Sequence, residues 1–235
     1  YGLPMAAISD LSISQVTFVT PISSNMGIGL GVSYGGVDVA NDMVISGGYG
    51  WSVSERLAVG GNLKIMRWAF EGQNDLYTGR KDSDISKASF SLDLSASYGL
   101  GELFGLGNFT TGVYLKDVLM PNISKSGDDG GKLPLDTRVG LMMQKGDLNV
   151  EGDVGFVDGN TVLRLGCESG ITGSALKIRG GVIYGSDFED DTEKTDINLG
   201  FGYRFNTIVF DYAFNMPFAI KNTDGKHFIS FGVSF

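Results

Sequence analysis

Apolar and polar residues alternate with a period of two along most of the chain. In Asp196–Phe205 one face carries Ile197, Leu199, Phe201, Tyr203 and Phe205, and the other Asp196, Asn198, Gly200, Gly202 and Arg204. In Thr207–Phe214, Ile208, Phe210, Tyr212 and Phe214 oppose Val209, Asp211 and Ala213. The same reading holds backward from Leu176–Tyr184 through Leu163–Cys167, Leu148–Phe156, Leu135–Met143, Phe109–Leu115, Phe90–Tyr98, Leu57–Ile65 and Met43–Val53 to Met26–Tyr34. Ile229, Phe231, Val233 and Phe235 close the chain in the same way, and Leu11–Thr20 is a weaker thirteenth segment of unclear facing. Alternation over short segments predicts half-buried strands. Each is about ten residues long, which suits a tilted strand crossing a bilayer.

A soluble sandwich also alternates, with its apolar face inward. The polar face here argues otherwise. It interleaves Arg138, Glu151, Asp153, Arg164, Glu168, Lys177, Arg179, Asp196, Arg204 and Asp211 with many Gly and Ser. Charges of both signs among small residues suit a polar barrel interior. The apolar face ends its strands in Tyr34, Tyr49, Trp51, Tyr98, Tyr184 and Tyr203, where interface girdles place their rings.

The connections separate by parity. One set is Gly35–Ala40, Glu71–Ser86, Asp117–Leu133, Val157–Asn160, Gly185–Thr195 and Asn215–Gly225. The other is Pro21–Asn25, Ser54–Arg56, Gly99–Gly105, Lys145–Asp147, Ser169–Thr172 and Asn206. All the long connections fall in the first set, as in outer-membrane barrels with long outer loops and short periplasmic turns. The expected fold is therefore all-β: a transmembrane, antiparallel, up-and-down β-barrel in one domain over residues 1–235. Parity puts the C-terminus on the short-turn side and the start of Leu11–Thr20 on the outside. Since bacterial barrels have even strand numbers, 14 strands are expected in the complete protein, with an N-terminal part absent from this sequence.

Composition narrows the chemistry. The chain has 235 residues, 36 of them glycine, and 5 prolines, which excludes a collagen repeat. A net charge of −9 argues against nucleic acid as a partner. Cys167 and His227 are each the sole residue of their type, so neither a zinc site nor a histidine-based triad is expected. No cofactor and no enzymatic activity are expected. The acidic run Ser186–Asp191 lacks calcium-loop spacing. Lys125–Lys132 lacks the spacing of a phosphate loop. Met66, Trp68 and Phe228 face inward by parity, where they would touch an apolar ligand or fill space. Cys167 faces lipid as a small hydrophobe.

The tail His227–Phe235, with Phe231, Val233 and Phe235 on the lipid face, resembles the C-terminal signal read by the barrel-assembly machinery. Other stretches, in order, are Arg56–Ile65, Leu133–Leu141, Leu163–Glu168, Asn198–Phe205 and Phe210–Phe214. Together they resemble the PorV/PorQ group of the FadL-like barrels, over about Ser54 to Phe235. The group's N-terminal Asn-Pro-Ala-Gly-like motif is absent. The resemblance implies a bacterial outer-membrane protein with lipid and the assembly machinery as partners. It also implies one of two functions. The first expectation is an accessory scaffold that docks a protein partner through loops Glu71–Ser86 and Asp117–Leu133. The alternative is transport of small hydrophobic molecules, as in FadL-like barrels. Apart from the resemblance, a general porin is a third expectation.

Overall fold

A computed structural model describes residues 12–37, 40–71, 85–123, 131–171, 173–187, 192–218 and 225–234. These form thirteen strands: β1 (Ser12–Ser23), β2 (Met26–Val37), β3 (Ala40–Ser52), β4 (Leu57–Phe70), β5 (Ile85–Leu103), β6 (Gly107–Lys116), β7 (Asp136–Lys145), β8 (Leu148–Val157), β9 (Asn160–Gly170), β10 (Leu176–Asp187), β11 (Thr192–Phe205), β12 (Ile208–Pro217) and β13 (Lys226–Val233). They make one sheet in which strand order follows chain order from β1 to β13. Ten residues at about 3.3 Å each extend roughly 33 Å. A tilt of about 45° reduces that to roughly 23 Å, close to the apolar band of an outer membrane.

By compactness the chain divides into two units, Tyr1–Ala96 with Tyr114–Asp136, and Ser97–Val113 with Thr137–Phe235. In the first unit, register aligns Val16, Val32, Ile45 and Ile65 across β1 to β4. That row settles the facing of β1: Val16 and Phe18 share the apolar face with Val32 and Leu30. In the second, Leu165, Val182, Ile197 and Met216 align across β9 to β12. Because side chains alternate, each aligned row commits its whole strand to one facing.

Burial is inverted relative to a water-soluble protein. Among the described residues no hydrophobic side chain is buried; Lys64, Ser91, Asp93, Asp117, Asp136 and Asn215 are. Leu30, Phe90, Leu165 and Leu199 are each about 60% exposed on the apolar face. A soluble sheet would bury that face against a second layer. Hydrocarbon requires no such layer, since its only demand on the chain is that backbone groups be paired.

The turns explain where strands end. At the long-loop end, Asp158 (φ 49°) and Gly159 (φ 77°) form the two-residue β8–β9 connection, both left-handed as such a hairpin demands. At the other end, Asn206 (φ 53°) opens the β11–β12 turn. β5 runs through the expected turn Gly99–Gly105 as far as Leu103. The reason is that Tyr98 and Leu100 continue the outward alternation between the glycines. The β3–β4 and β9–β10 connections on the short-turn side lie within 53–56 and 171–175. The intervals 71–84, 117–135 and 218–225 between strands belong to the alternate set of connections, which agrees with the parity reading.

The exposed face can be tested directly. Leu165→Arg, mid-strand, is expected to cost about 2–4 kcal/mol of folding stability in lipid vesicles. Asn198→Arg on the polar face should cost much less. Urea titrations of folding into vesicles would measure both. Equal costs would show that Leu165 does not face lipid.

Candidate functional site

The polar face of β4 changes character along its length. Asn62 and Lys64 are followed at two-residue steps by Met66, Trp68 and Phe70, all half-buried. Trp68 and Phe70 stack with ring centroids 6.3 Å apart. On β3 their register partners are Val44 for Met66, Asp42 for Trp68 and Ala40 for Phe70. Along this face of β4 an apolar ladder therefore succeeds the polar pair Asn62 and Lys64.

Directly below the ladder lies a buried ionic cluster. The Lys64 ammonium is 2.6 Å from Asp93 Oδ1 and 2.7 Å from Asp117 Oδ1. Ser91 Oγ donates to Asp117 Oδ1 at 2.8 Å, and Asn62 Nδ2 to Asp93 Oδ2 at 3.3 Å. The Asp117 amide donates to Asp93 Oδ1 at 2.9 Å. Lys64, Asp93 and Asp117 are all under 10% exposed. Buried charge is tolerated only when paired and hydrogen-bonded, and here each charged group has at least two partners.

Asp117 owes its position to its backbone. It ends β6 in a left-handed conformation (φ 58°), which Asp adopts more readily than most residues. The bend aims its carboxylate at Lys64, while the Met120 amide donates to its carbonyl at 2.8 Å. Beyond it, the Leu133 amide donates to the Pro121 carbonyl at 2.9 Å and the Ile123 amide to the Gly131 carbonyl at 2.8 Å. The described parts of the β6–β7 connection thus form a hairpin arm. Its intervening residues, including most of Lys125–Lys132, lie outside the described residues.

The expected interior charges all sit on the polar face of the second unit, most of them in a ladder of ion pairs. Arg164 donates to Asp153 at 2.8 Å. Glu168 accepts from Lys177 and Arg179, both at 2.6 Å, and Arg179 reaches Asp211 at 2.5 Å. That last pair spans β11 over Gly202. A Cβ there would collide with Asp211 Oδ1 and lie 3.2 Å from an Arg179 nitrogen. Asn215 links Asp196 and Asn198, at 3.3 and 2.9 Å. Glu151 lies over Gly166, Arg138 has a partner of its own, and Arg204 is exposed, two residues before the Asn206 turn. A recess of about 490 Å³ opens between these pairs, with Gly166 and Gly181 as register partners in its lining.

The six expected interface rings are 37–51% exposed on the apolar face. Tyr34 and Tyr184 lie toward the long-loop end of their strands, and Tyr49, Trp51, Tyr98 and Tyr203 toward the other. Phe231 and Val233 are exposed on β13, and Phe235 lies outside the described residues. Met66 and Trp68 join Phe70 in the ladder, whereas Phe228 is on β13 opposite Ala213. Cys167 is exposed on the apolar face. His227 Nδ1 is 2.8 Å from Tyr212 Oη, a strand-end contact. The acidic run is described only for the backbone of Ser186 and Asp187. Among the described residues, no three His, Cys, Asp or Glu are grouped to hold a metal.

Sequence reasoning missed the Lys64 cluster as a site. Lys64 and Asp93 read as polar-face residues, but Asp117 reads as the start of a loop. The available signal was two opposite charges at mid-strand positions of the same facing.

No family model matches the chain. No curated protein sequence does either. Solved structures do. The CymD monoaromatic hydrocarbon channel aligns with a TM-score of 0.71 over 96% of this chain and 85% of its own, at 14% identity. The chain has the fold of the FadL-like outer-membrane channels. A Pseudomonas aeruginosa FadL homologue aligns with a TM-score of 0.61, over 87% of this chain and 69% of its own, at 13% identity. The fold is thus an all-β, antiparallel, up-and-down barrel of the bacterial outer-membrane kind.

Lys64→Met tests the cluster. It leaves two buried carboxylates without their cation, and a loss of about 3–5 kcal/mol of stability is expected. Thermal unfolding followed by heat-modifiable gel mobility would measure it. An unchanged transition would show that the cluster contributes nothing to the fold.

Proposed function

We propose that this chain is a non-enzymatic outer-membrane conduit for small hydrophobic molecules. The observation that carries the reading is the Met66–Trp68–Phe70 ladder, three large apolar side chains in succession on the inward face of one strand, directly after Asn62 and Lys64. Polar-face residues have no lipid to meet, so an apolar stripe there suits an apolar ligand. The FadL-like fold supports the same reading, as does the monoaromatic hydrocarbon channel among the structures that share it. This reverses the order expected from sequence, where the scaffold role came first.

Binding of naphthalene to the purified barrel tests the proposal. Trp68→Ala should weaken it about tenfold, equivalent to about 1.4 kcal/mol or roughly 55 Å² of apolar contact at about 25 cal/mol per Å². Failure of the unaltered barrel to bind any apolar probe would refute the proposal.

A second reading keeps the PorV/PorQ-like scaffold. It rests on the parity of the long connections along the chain and on the backbone pairing of Pro121 with Leu133 and Ile123 with Gly131. Deleting 122–132 should then release a protein partner that co-purifies from the native outer membrane, with barrel mobility unchanged. Retention of that partner would exclude the arm as its dock.

A further inference from the structure

The ladder and the cluster share one strand face, and their sequence order has a consequence for what passes. Lys64 sits two residues before Met66, so it is the cation that a bound amphiphile's charged head would meet beside the ladder. Left free, a buried lysine there would capture a carboxylate. It is not free: Asp93 and Asp117 both hold it, and the trio carries one net negative charge. Asp42, the register partner of Trp68, adds a second negative site. Its carboxylate lies over Gly35 on the same face, where a Cβ would be 3.0 Å from Oδ1. The other polar-face cations of this unit's strands are also engaged. Lys87 has a partner, and Lys116 is exposed to water 3.9 Å from Asp117.

We propose that the Lys64–Asp93–Asp117 cluster, with Asp42, sets the substrate class of the ladder: uncharged apolar molecules and alcohols are accepted and anionic amphiphiles are turned away. Among the described residues Lys64 is the only buried cation, and an incoming carboxylate would find it doubly neutralised. It would also have to approach two fixed carboxylates at low local dielectric, where repulsion is strongest. An alcohol of the same length meets neither obstacle. The proposal rests on the conduit reading and narrows it.

The test uses two bromine-tipped probes of one chain length, bromoundecanol and bromoundecanoate, which quench tryptophan on contact. The chain has 2 tryptophans. Trp51→Phe leaves Trp68 as the reporter in the ladder, and Trp68→Phe leaves Trp51 on the apolar face as a control for partition into detergent. Titrations run well above the carboxylate pKa range keep the acid ionised. After correction for the control, bromoundecanol should bind at least about tenfold more tightly than bromoundecanoate. Asp117→Asn should raise bromoundecanoate affinity about tenfold without moving that of the alcohol, whereas Asp117→Glu should keep the discrimination. Asp93→Asn provides the same loss of charge should Asp117→Asn not fold. Equal binding of the two probes to the unaltered barrel would overturn the inference and leave the conduit reading standing. Absence of quenching by either probe would overturn both. Discrimination that survives both Asn variants would place its origin outside the cluster.

Discussion

Hydrocarbon offers no hydrogen bonds to a backbone. Each N–H and C=O that enters it must be paired within the protein, and an antiparallel sheet does this strand by strand. The rest of this structure depends on that constraint. It frees the outward side chains from any need to find a second layer, so Phe18, Leu30, Leu165 and Phe231 are left exposed. It also favours the opposite face for charged residues, where the ion pairs of this sheet are found.

The polar face arranges those pairs in two ways. In the first unit one lysine is enclosed by two carboxylates, a serine and a bent strand end. In the second, arginines stretch between strands, and glycines lie beneath them because a side chain there would occupy the path of the guanidinium. Gly202 under the Arg179–Asp211 pair is one case, and Gly155, where a Cβ would be 2.9 Å from an Arg164 nitrogen, is another. At these two positions the glycine follows from the charge pairing. The ladder at Met66, Trp68 and Phe70 is the departure from this rule, and a departure of that kind is where a ligand is expected.

Strand positions and facing were legible in the sequence because alternation is a local property, visible within a few residues. The strand ends were less so. Gly99 and Gly101 suggest a turn, yet β5 continues through them because Tyr98 and Leu100 keep the pattern on the outward side. β1 was ambiguous from its own residues and took its facing from Val32 and Leu30 on the neighbouring strand. The ion pairs of β8 to β12 were readable as charges on one face, since their partners sit on adjacent strands. The Lys64–Asp117 contact joins residues 53 positions apart through a left-handed bend. No local pattern reports such a bend, and this is why the cluster emerges only from the structure.

The sheet order has a kinetic side. Each strand neighbours the one made just before it and the one made just after, and several of the links are only two residues long. Closing such short links costs little chain entropy, and low contact order favours rapid assembly. Growth by successive hairpins limits the time any strand edge waits unpaired at the membrane surface. The long β4–β5 and β6–β7 connections interrupt that rhythm, and closing them costs more chain entropy than closing the two-residue links.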